Sequence, residues 1–385
     1  MKVTFVGIVT AAVVATAMLA PVASAATTTV CRSSCTYATL QSAINNAKSG
    51  DTIQVGTVDL TLSASQVLSI TKPLTLRSTS ITSIKKSVGT VEQPMISVNL
   101  SSPGTVKISG FSFMNSGTAT GSANSANSAS VAIVIAGDGS SVSNRSEIRG
   151  NTFTGISDTA IVFSSAGSHR HWSVVDNKFN NVLYGMFFNG AGSVDLLVAG
   201  NLFTSYLAGM NNYDDKNAIT DLRVVGNTFQ GTCAAVAGTC DSGSRAINLH
   251  ANASSDDADL NWMIANNRFQ NHSGMAIRIR DKQTEAAGRS MSGVFIASNF
   301  FAGNAVDVVD QSTKYPKFAL NYWDGCDPLS AKFTDGSDPL ASLLSAASGP
   351  WIAGAVTEAG AALRPYKYGF YPVGGSVGPT LSDGC

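Results

Sequence analysis

This sequence has few charged residues. Charged residues make up 13% of the 385 residues, against about 25% in an average soluble domain. Lys and Arg together number 25, as do Asp and Glu, so the formal net charge is zero. A generic nucleic-acid-binding protein is excluded, because phosphate binding needs a clustered excess of cations. With 44% hydrophobic residues, the chain can form a core and is not of the disordered class.

A second long apolar run is also missing. The one such run covers residues 3–20 and is followed by Pro21 and by Ala23-Ser24-Ala25, a small-residue cleavage signature. The run is near the length of a membrane span, so an anchor is the alternative. Pro21 and the cleavage signature favour a signal peptide over residues 1–25. The sequence therefore predicts an exported protein, secreted to the extracellular space or the periplasm, with no membrane span after cleavage.

Metal-binding cysteine pairs are absent, although the chain has six cysteines. All six follow the predicted signal peptide, and an even number in an exported protein indicates disulfides. No CxxC pair with histidine partners is present, which argues against a zinc site. Sequence alone does not select among the possible pairings, but local closure favours Cys31–Cys35, Cys233–Cys240 and Cys326–Cys385.

The motif Asn-x-Phe recurs between residues 151 and 323. Its copies, the last of them Asn-Tyr-Trp, begin at Asn151, Asn177, Asn201, Asn227, Asn267, Asn299 and Asn321. A short apolar run precedes each asparagine in the central copies, and another follows about nine residues later. No copy contains a helical pattern. Each unit is therefore predicted to be strand, turn and strand, and the set to be the coils of a β-solenoid.

Stacked coils place equivalent residues about 4.8 Å apart. We therefore expect the phenylalanines to stack inside the core and the asparagines to hydrogen-bond one another in a ladder. We also expect each asparagine to take the left-handed backbone conformation of its turn. The longest step, from Asn227 to Asn267, contains Cys233 and Cys240 and predicts a loop insertion.

The N-terminal segment resembles a known family. The stretch Tyr37–Val55 predicts a short helix, a Gly-Asp turn and a first strand, with Leu40, Ile44 and Ala47 on one helical face. It is similar to the start of proteins of the right-handed parallel β-helix, or pectin-lyase-like, superfamily.

The resemblance implies an all-β fold, a right-handed parallel β-helix with a short N-terminal capping helix. We expect the cap over residues 26–50, the β-helix over 51–323 and an irregular C-terminal cap over 324–385. The superfamily also places its active sites on the outside of one parallel sheet. Polysaccharide lyases, hydrolases, epimerases and esterases are its common activities.

Side chains alternate between the two faces of a strand, so polar residues at the outward positions of the strand after each Asn-x-Phe are the candidate site residues. The predicted catalytic residues are Tyr213, His250 and Arg280, and the predicted substrate-binding residues are Asn189, Asn248, Arg278 and Asp310. Tyr213 or His250 would remove the C5 proton of a uronate. The paired arginines would neutralise its carboxylate. Ordinary solvated surface is the alternative interpretation.

Asp214 and Asp215 are candidate Ca²⁺ ligands, although no spaced calcium loop is present and no cofactor is required. The run 169–172, His-Arg-His-Trp, indicates either a tryptophan platform for a sugar or an exposed turn.

Most catalytic blocks of known β-helix enzymes are missing. Arg278-Ile279-Arg280 resembles one block of polygalacturonase-like enzymes, but the Asn-Thr-Asp and Gly-His-Gly blocks are absent. Two hypotheses remain. One is a secreted protein that binds or acts on a polysaccharide or cell-surface glycan, for example a uronate-polymer lyase. The other is a non-enzymatic adhesin or structural solenoid.

Overall fold

A computed structural model describes most of the chain between residues 25 and 335. The described ranges are 25–31, 35–56, 59–87, 93–116, 131–139, 141–164, 169–189, 193–212, 219–232, 244–250, 261–280, 294–311, 317–319, 321 and 333–335. The signal peptide predicted over 1–25 lies outside them apart from Ala25.

The described residues form one helix, α1 (Leu40–Asn46), and 26 strands. In chain order the strands are β1 (Thr27–Val30), β2 (Thr52–Val55), β3 (Leu60–Leu62), β4 (Leu68–Ile70), β5 (Leu74–Ser87), β6 (Ile96–Asn99), β7 (Val106–Ser116), β8 (Ile133–Ala136), β9 (Ser146–Arg149), β10 (Thr152–Thr154), β11 (Thr159–Phe163), β12 (His169–Val175), β13 (Lys178–Phe188), β14 (Ser193–Ala199), β15 (Leu202–Asn212), β16 (Arg223–Val225), β17 (Thr228–Gln230), β18 (Arg245–His250), β19 (Trp262–Ala265), β20 (Arg268–Gln270), β21 (Met275–Arg280), β22 (Val294–Ala297), β23 (Phe300–Ala302), β24 (Val306–Gln311), β25 (Lys317–Ala319) and β26 (Phe333–Asp335).

These strands pair in parallel and form three ladders, called sheets 1, 2 and 3. Sheet 1 contains β1, β2, the first parts of β5 and β7, β9, β12, β14, β16, β19, β22 and β25. Sheet 2 contains β3, the later parts of β5 and β7, β10, the first parts of β13 and β15, β17, β20 and β23. Sheet 3 contains β4, β6, β8, β11, the later parts of β13 and β15, β18, β21, β24 and β26. The fold is the all-β parallel β-helix that the repeats predict, and crossovers of this kind are right-handed in nearly all proteins.

The phenylalanines of the repeat stack along the inside of sheet 2, which confirms the prediction. Neighbouring rings lie 4.4 to 5.2 Å apart between centroids and are close to parallel. The stack runs through Phe113, Phe153, Phe179, Phe203, Phe229, Phe269 and Phe301. All seven are buried. Each aromatic pair adds about 0.5–1.5 kcal/mol to the free energy gained from burial alone.

The asparagine ladder also forms as predicted. At Asn201 both the backbone N–H and Nδ2 donate to Oδ1 of Asn227, each over 2.9 Å. Nδ2 donates in addition to the carbonyl oxygen of Val174, over 2.8 Å. The pattern repeats from Asn151 to Asn321. The ladder therefore supplies the buried backbone groups at this corner with partners.

The left-handed residue at this corner is the one before the ladder asparagine. In three coils this residue is a glycine, at positions 150, 200 and 226. In three other coils it is Asp176, Asn266 or Ser298. The φ angles of all six lie between 54° and 66°. The expectation that the asparagine itself is left-handed was wrong. The asparagine lies between this left-handed residue and the first residue of the following strand, and both its backbone N–H and its Nδ2 donate to the ladder asparagine of the next coil.

Strands are present in both segments assigned to the caps, and the predicted boundaries stay a prediction. β1 pairs with β2 inside the segment assigned to the N-terminal cap, and β26 pairs with β24 inside the segment assigned to the C-terminal cap. Helix α1 begins at the N-cap Thr39, whose Oγ1 accepts from Ser42 N–H over 3.2 Å, and buries Leu40, Ala43 and Ile44 against the first strands. Within the described ranges, no helix is long and apolar enough to cross a bilayer.

Cys31 and Cys35 form a disulfide, with their Cα atoms 5.5 Å apart. It closes the loop that follows β1. The other four cysteines, Cys233, Cys240, Cys326 and Cys385, lie outside the described residues, so their pairing stays a prediction.

Candidate functional site

Part of the predicted polar strip lies in register on sheet 3. Asn248 pairs with Arg278, and His250 pairs with Arg280. The structure adds Asn211, a residue that the sequence search missed, whose Oδ1 accepts from Asn248 Nδ2 over 2.6 Å. Asn189 follows β13, two coils before His250, and its backbone N–H donates to the carbonyl of Phe163. Tyr213, Asp214 and Asp215 lie outside the described residues.

Asp310 does not share the register column of Arg280. It pairs with Ile279, whereas Arg280 pairs with Gln311. The assignment of Asp310 to substrate binding stays a prediction.

Two asparagines on the outer face of sheet 3 are buried. Asn211 is 3% exposed and Asn248 is 5% exposed, although both are at outward positions. In the preceding coils the same column holds Val162 and Phe187, which form a buried apolar cluster with two further valines. Asn211 and Asn248 therefore offer little surface to a polymer, whereas Arg278 is half-buried.

Charged side chains converge instead on the outer face of sheet 1, around Asp195. Its Oδ1 accepts from Arg145 Nη2 and from Arg223 Nη2, the latter over 2.6 Å. Its Oδ2 lies 2.8 Å from His171 Nδ1. Burial opposes ionisation of Asp195, but hydrogen bonds from Arg145 and His171 hold the pKa of its carboxyl below the ordinary value. Because an ionised carboxylate only accepts, Nδ1 carries the proton and Nε2 of His171 has no partner among the described residues.

The repeat explains why these residues meet. Each lies six positions before a ladder asparagine, and stacking the coils brings the positions into one line. The line is Arg145, His171, Asp195, Asp221 and Asn261. The last four have φ between 48° and 58°, a left-handed conformation that His, Asp and Asn adopt more readily than most residues. Aligning the repeats on the asparagines would have revealed the line from sequence.

One hollow beside Asp195 is called the acidic hollow. It has a volume of about 340 Å³ and is lined by Val142, His171, Asp195, Asp221, Arg223, Asn261 and Met263. Asp221 Oδ1 accepts from Asn261 Nδ2 over 2.6 Å. The lining thus contains two carboxylates and the guanidinium of Arg223.

A second hollow shares Val142 with the first and is called the cationic hollow. It has a volume of about 330 Å³, and its charged lining is Lys107, Arg145, Glu147 and Arg149. Arg149 pairs with Glu147 over 3.1 Å and with Asp176, which does not line the hollow, over 3.0 Å.

Lys107 has no partner among the described residues. The floor of the cationic hollow is apolar, formed by Val175, Leu197 and Ala199. An anionic group entering it would therefore meet the ammonium group of Lys107, which forms no ion pair with any described carboxylate although Glu147, its register partner, lines the same hollow.

The run 169–172 is neither a platform nor an exposed turn. Trp172 is fully buried, and its indole N–H donates to the carbonyl of Gly137 over 3.0 Å. His169 is also buried, and burial lowers its pKa to about 4. Only His171 reaches the site, through Asp195.

No protein-family model and no curated protein matches the chain. Among solved structures, an alginate lyase from Paenibacillus sp. str. FPU-7 is 16% identical, with a TM-score of 0.47, over 81% of this chain and 98% of that one. ORF18 of Geobacillus virus E2 is 12% identical, with a TM-score of 0.44, over 74% of this chain, which spans 58% of its length. The A-module of a mannuronan C-5 epimerase from Azotobacter vinelandii is 12% identical, with a TM-score of 0.38, over 74% of this chain and 89% of that one. Similarities at this level support no inference about activity.

Proposed function

We propose that this protein binds an anionic polysaccharide along the outer face of sheet 1, in the cationic hollow. The observation that carries the proposal is the grouping of Lys107, Arg145 and Arg149 around a single lining carboxylate. Arg145 is paired with Asp195, and Arg149 with Glu147 and Asp176, so among the described residues Lys107 is the cation of this hollow that no ion pair engages.

The hollow has the parts that a sugar acid needs. The side chain of Arg149 is 52% exposed, and the guanidinium N–H groups that Glu147 and Asp176 leave open can donate to a carboxylate or sulfate. Lys107 supplies a point charge beside it. Leu197 and Ala199 offer an apolar floor for the C–H face of a sugar ring, and Ser173 supplies a hydroxyl. An extended polymer fits because the face continues along the stacked coils.

The compartment belongs to the same proposal. The predicted signal peptide would take the chain to the cell surface or beyond, where polysaccharides are abundant. The Cys31–Cys35 disulfide supports this, because disulfides persist in oxidising compartments.

The test is Lys107→Ala, assayed for binding to polyuronate and sulfated oligosaccharides by calorimetry. We expect the dissociation constant to rise about tenfold, since a hydrogen bond to a charged group contributes about 1.5 kcal/mol or more. The affinity of the unaltered protein should also fall steeply between about 0.1 M and 1 M salt, as the screening length shrinks from about 10 Å to 3 Å.

Two further variants make the test specific. Lys178→Ala removes the same charge from the exposed outer face of sheet 2 and should leave binding unchanged. Arg278→Ala tests the sheet 3 strip. A loss with Arg278→Ala but not with Lys107→Ala would move the site to sheet 3. No binding of any acidic glycan would favour the structural solenoid. Ultraviolet absorbance of an unsaturated product, followed in the same samples, would extend the proposal from binding to a lyase.

A further inference from the structure

A second cation lies next to Lys107 on the outer face of sheet 1, just beyond the cationic hollow. Arg77 lies in β5, in the coil before Lys107, and is exposed. It donates from Nη2 to the amide oxygen of Gln54 over 2.9 Å and forms no ion pair with any described carboxylate. Positive charge without a described counter-charge therefore extends from the hollow toward the N-terminal coils.

The strand register fixes the relative positions of these two cations. Lys107 pairs with Thr75, and Arg77 pairs with Ser109, so each cation has a hydroxyl as its register partner. The cations are one coil apart, about 4.8 Å along the solenoid, and two residues apart across the strands, about 6.6 Å. Arg77 and Lys107 thus lie on one diagonal of a four-residue array, and Thr75 and Ser109 on the other.

Little negative charge surrounds this array. The other outward positions of β2, β5, β7 and β9 hold Thr52, Gln54, Glu147 and Arg149. Glu147 is the one carboxylate among them, and Arg149 binds it over 3.1 Å and binds Asp176 over 3.0 Å. These two carboxylates therefore offset the charge of Arg149, and the excess of positive charge is that of Arg77 and Lys107.

An extended β-1→4-linked glycan matches the array. Its sugars advance by nearly the same distance as the coils, about 4.8 Å, so a chain lying along the solenoid places one sugar on each coil. Each sugar is rotated by about half a turn relative to the one before it, so acidic groups on consecutive sugars project to opposite sides of the chain. Arg77 and Lys107 lie on opposite sides of such a chain, in adjacent coils.

We propose, on the basis of the proposed function, that the glycan site extends from the cationic hollow to Arg77 and binds acidic groups on two consecutive sugars. Arg77 binds the acidic group of one sugar and Lys107 that of the next, each through charge-assisted hydrogen bonds. A chain in which acidic and uncharged sugars alternate can present an acidic group to one of these cations but not to both, because they lie in adjacent coils. The ligand is therefore an extended chain with runs of consecutive acidic sugars.

The test measures the binding of an oligomannuronate, which is β-1→4-linked and carries a carboxylate on every sugar, to Arg77→Ala, Lys107→Ala and the double variant by calorimetry. Each single substitution should raise the dissociation constant about tenfold. The double substitution should raise it about a hundredfold, because contacts with two different acidic groups are independent. A hyaluronan oligosaccharide of equal length, in which glucuronate alternates with N-acetylglucosamine, should respond to no more than one of the single substitutions.

The matched control is Lys85→Ala, which removes a cation from the same strand, β5, on the outer face of sheet 2. It should leave the dissociation constants of both probes unchanged. Arg77 is exposed, so its substitution should change the free energy of unfolding by less than about 0.5 kcal/mol, and urea unfolding of the variant checks this.

The outcomes separate the inference from the proposed function. If Lys107→Ala weakens oligomannuronate binding and Arg77→Ala does not, the inference is wrong and the proposed function stands. A double variant that binds no more weakly than the single variants would mean that both cations hold one acidic group, which also overturns the inference. Equal losses of hyaluronan affinity in both single variants would do the same. If neither probe binds the unaltered protein, the proposed function and the inference both fail.

Discussion

The ladder asparagines show what one side chain contributes when a position is repeated in every coil. Asn201 is 1% exposed, accepts two hydrogen bonds from Asn177 through Oδ1, and donates from its own Nδ2 to Asn227 and to Val174. The oxygen of this amide accepts and its two N–H groups donate to different partners, so no other side chain of this size can form all of these hydrogen bonds.

Asn201→Asp should therefore destabilise the protein strongly although it changes the size of the side chain very little. The substitution removes the Nδ2 donor and sets a carboxylate oxygen against the carbonyl of Val174 and against Oδ1 of Asn227. We expect the free energy of unfolding to fall by about 3 kcal/mol or more, because a buried carboxylate then faces two acceptors and keeps only the hydrogen bonds from Asn177. Urea unfolding followed by circular dichroism measures it.

The matched control is Asn180→Asp, the same change at an exposed position on the outer face of sheet 2. It should alter the free energy of unfolding by less than about 0.5 kcal/mol. Equal effects at the two positions would show that the ladder bonds contribute no more than surface amides do.

At the scale of one coil, a left-handed turn residue precedes the ladder asparagine. Gly226 occupies this position with φ 66°, and a Cβ built there meets no atom within 4 Å. Space is therefore not what limits the residue type. Backbone strain limits the residue type here, since a side chain with a branched Cβ is disfavoured in the left-handed region.

Gly226→Val should lower the free energy of unfolding by about 1–2 kcal/mol, whereas Gly226→Asn should cost less than half of that. Asn266 already takes the same position in the next coil, with φ 56°. Thermal and urea unfolding of the two variants against the unaltered protein measure the difference. If valine and asparagine cost the same, backbone strain does not set the residue type at this turn.

The sequence predicted most of this coil because its signal is periodic. Asn-x-Phe marks a buried amide and a buried ring in each unit, and both the ladder and the stack follow from stacking at a fixed spacing. The cluster around Asp195 was missed because Arg145 and Asp195 carry no local motif. Only their equal distance from two ladder asparagines links them. The register of Asp310 with Ile279 rather than with Arg280 could not be predicted, because an apolar run alone does not fix the register of its strand.

Over the whole molecule, the few buried ionisable groups decide how stability depends on pH. His272 is 1% exposed and bridges two other buried groups, with Nε2 2.7 Å from the Tyr206 hydroxyl and Nδ1 2.7 Å from Asn304 Oδ1. Asn304 Nδ2 donates to Phe269 O and to Asp307, so its Oδ1 is an acceptor and Nδ1 of His272 carries the proton. Nε2 then accepts from Tyr206. The neutral imidazole is fully satisfied, and burial lowers the pKa of His272 to about 4.

We expect the protein to lose stability between pH 6.5 and pH 4. The pKa of His272, like that of His169, is about 4 in the folded protein, against 6.5 for a free histidine. Below 6.5 the unfolded chain binds protons that the folded chain does not, so the free energy of unfolding falls as the pH falls. At pH 5 the loss is about 2 kcal/mol for each histidine. The pKa values of Asp51 and Asp195 are lowered from 3.8. Their contribution to the free energy of unfolding is therefore present above pH 3.8 and is lost only below it, outside the pH range of the histidines.

Urea unfolding at pH 7 and pH 5 measures this loss, and His272→Gln assigns it. The unaltered protein should lose about 4 kcal/mol between the two pH values, and the variant about 2 kcal/mol, whatever its stability at pH 7. His169→Gln should remove the other half, and the double variant nearly all of the dependence. Because each comparison is a difference between two pH values of one variant, a general loss of stability from the substitution cancels. A pH dependence that stays the same in all three variants would show that these two imidazoles are not kept neutral by the folded core.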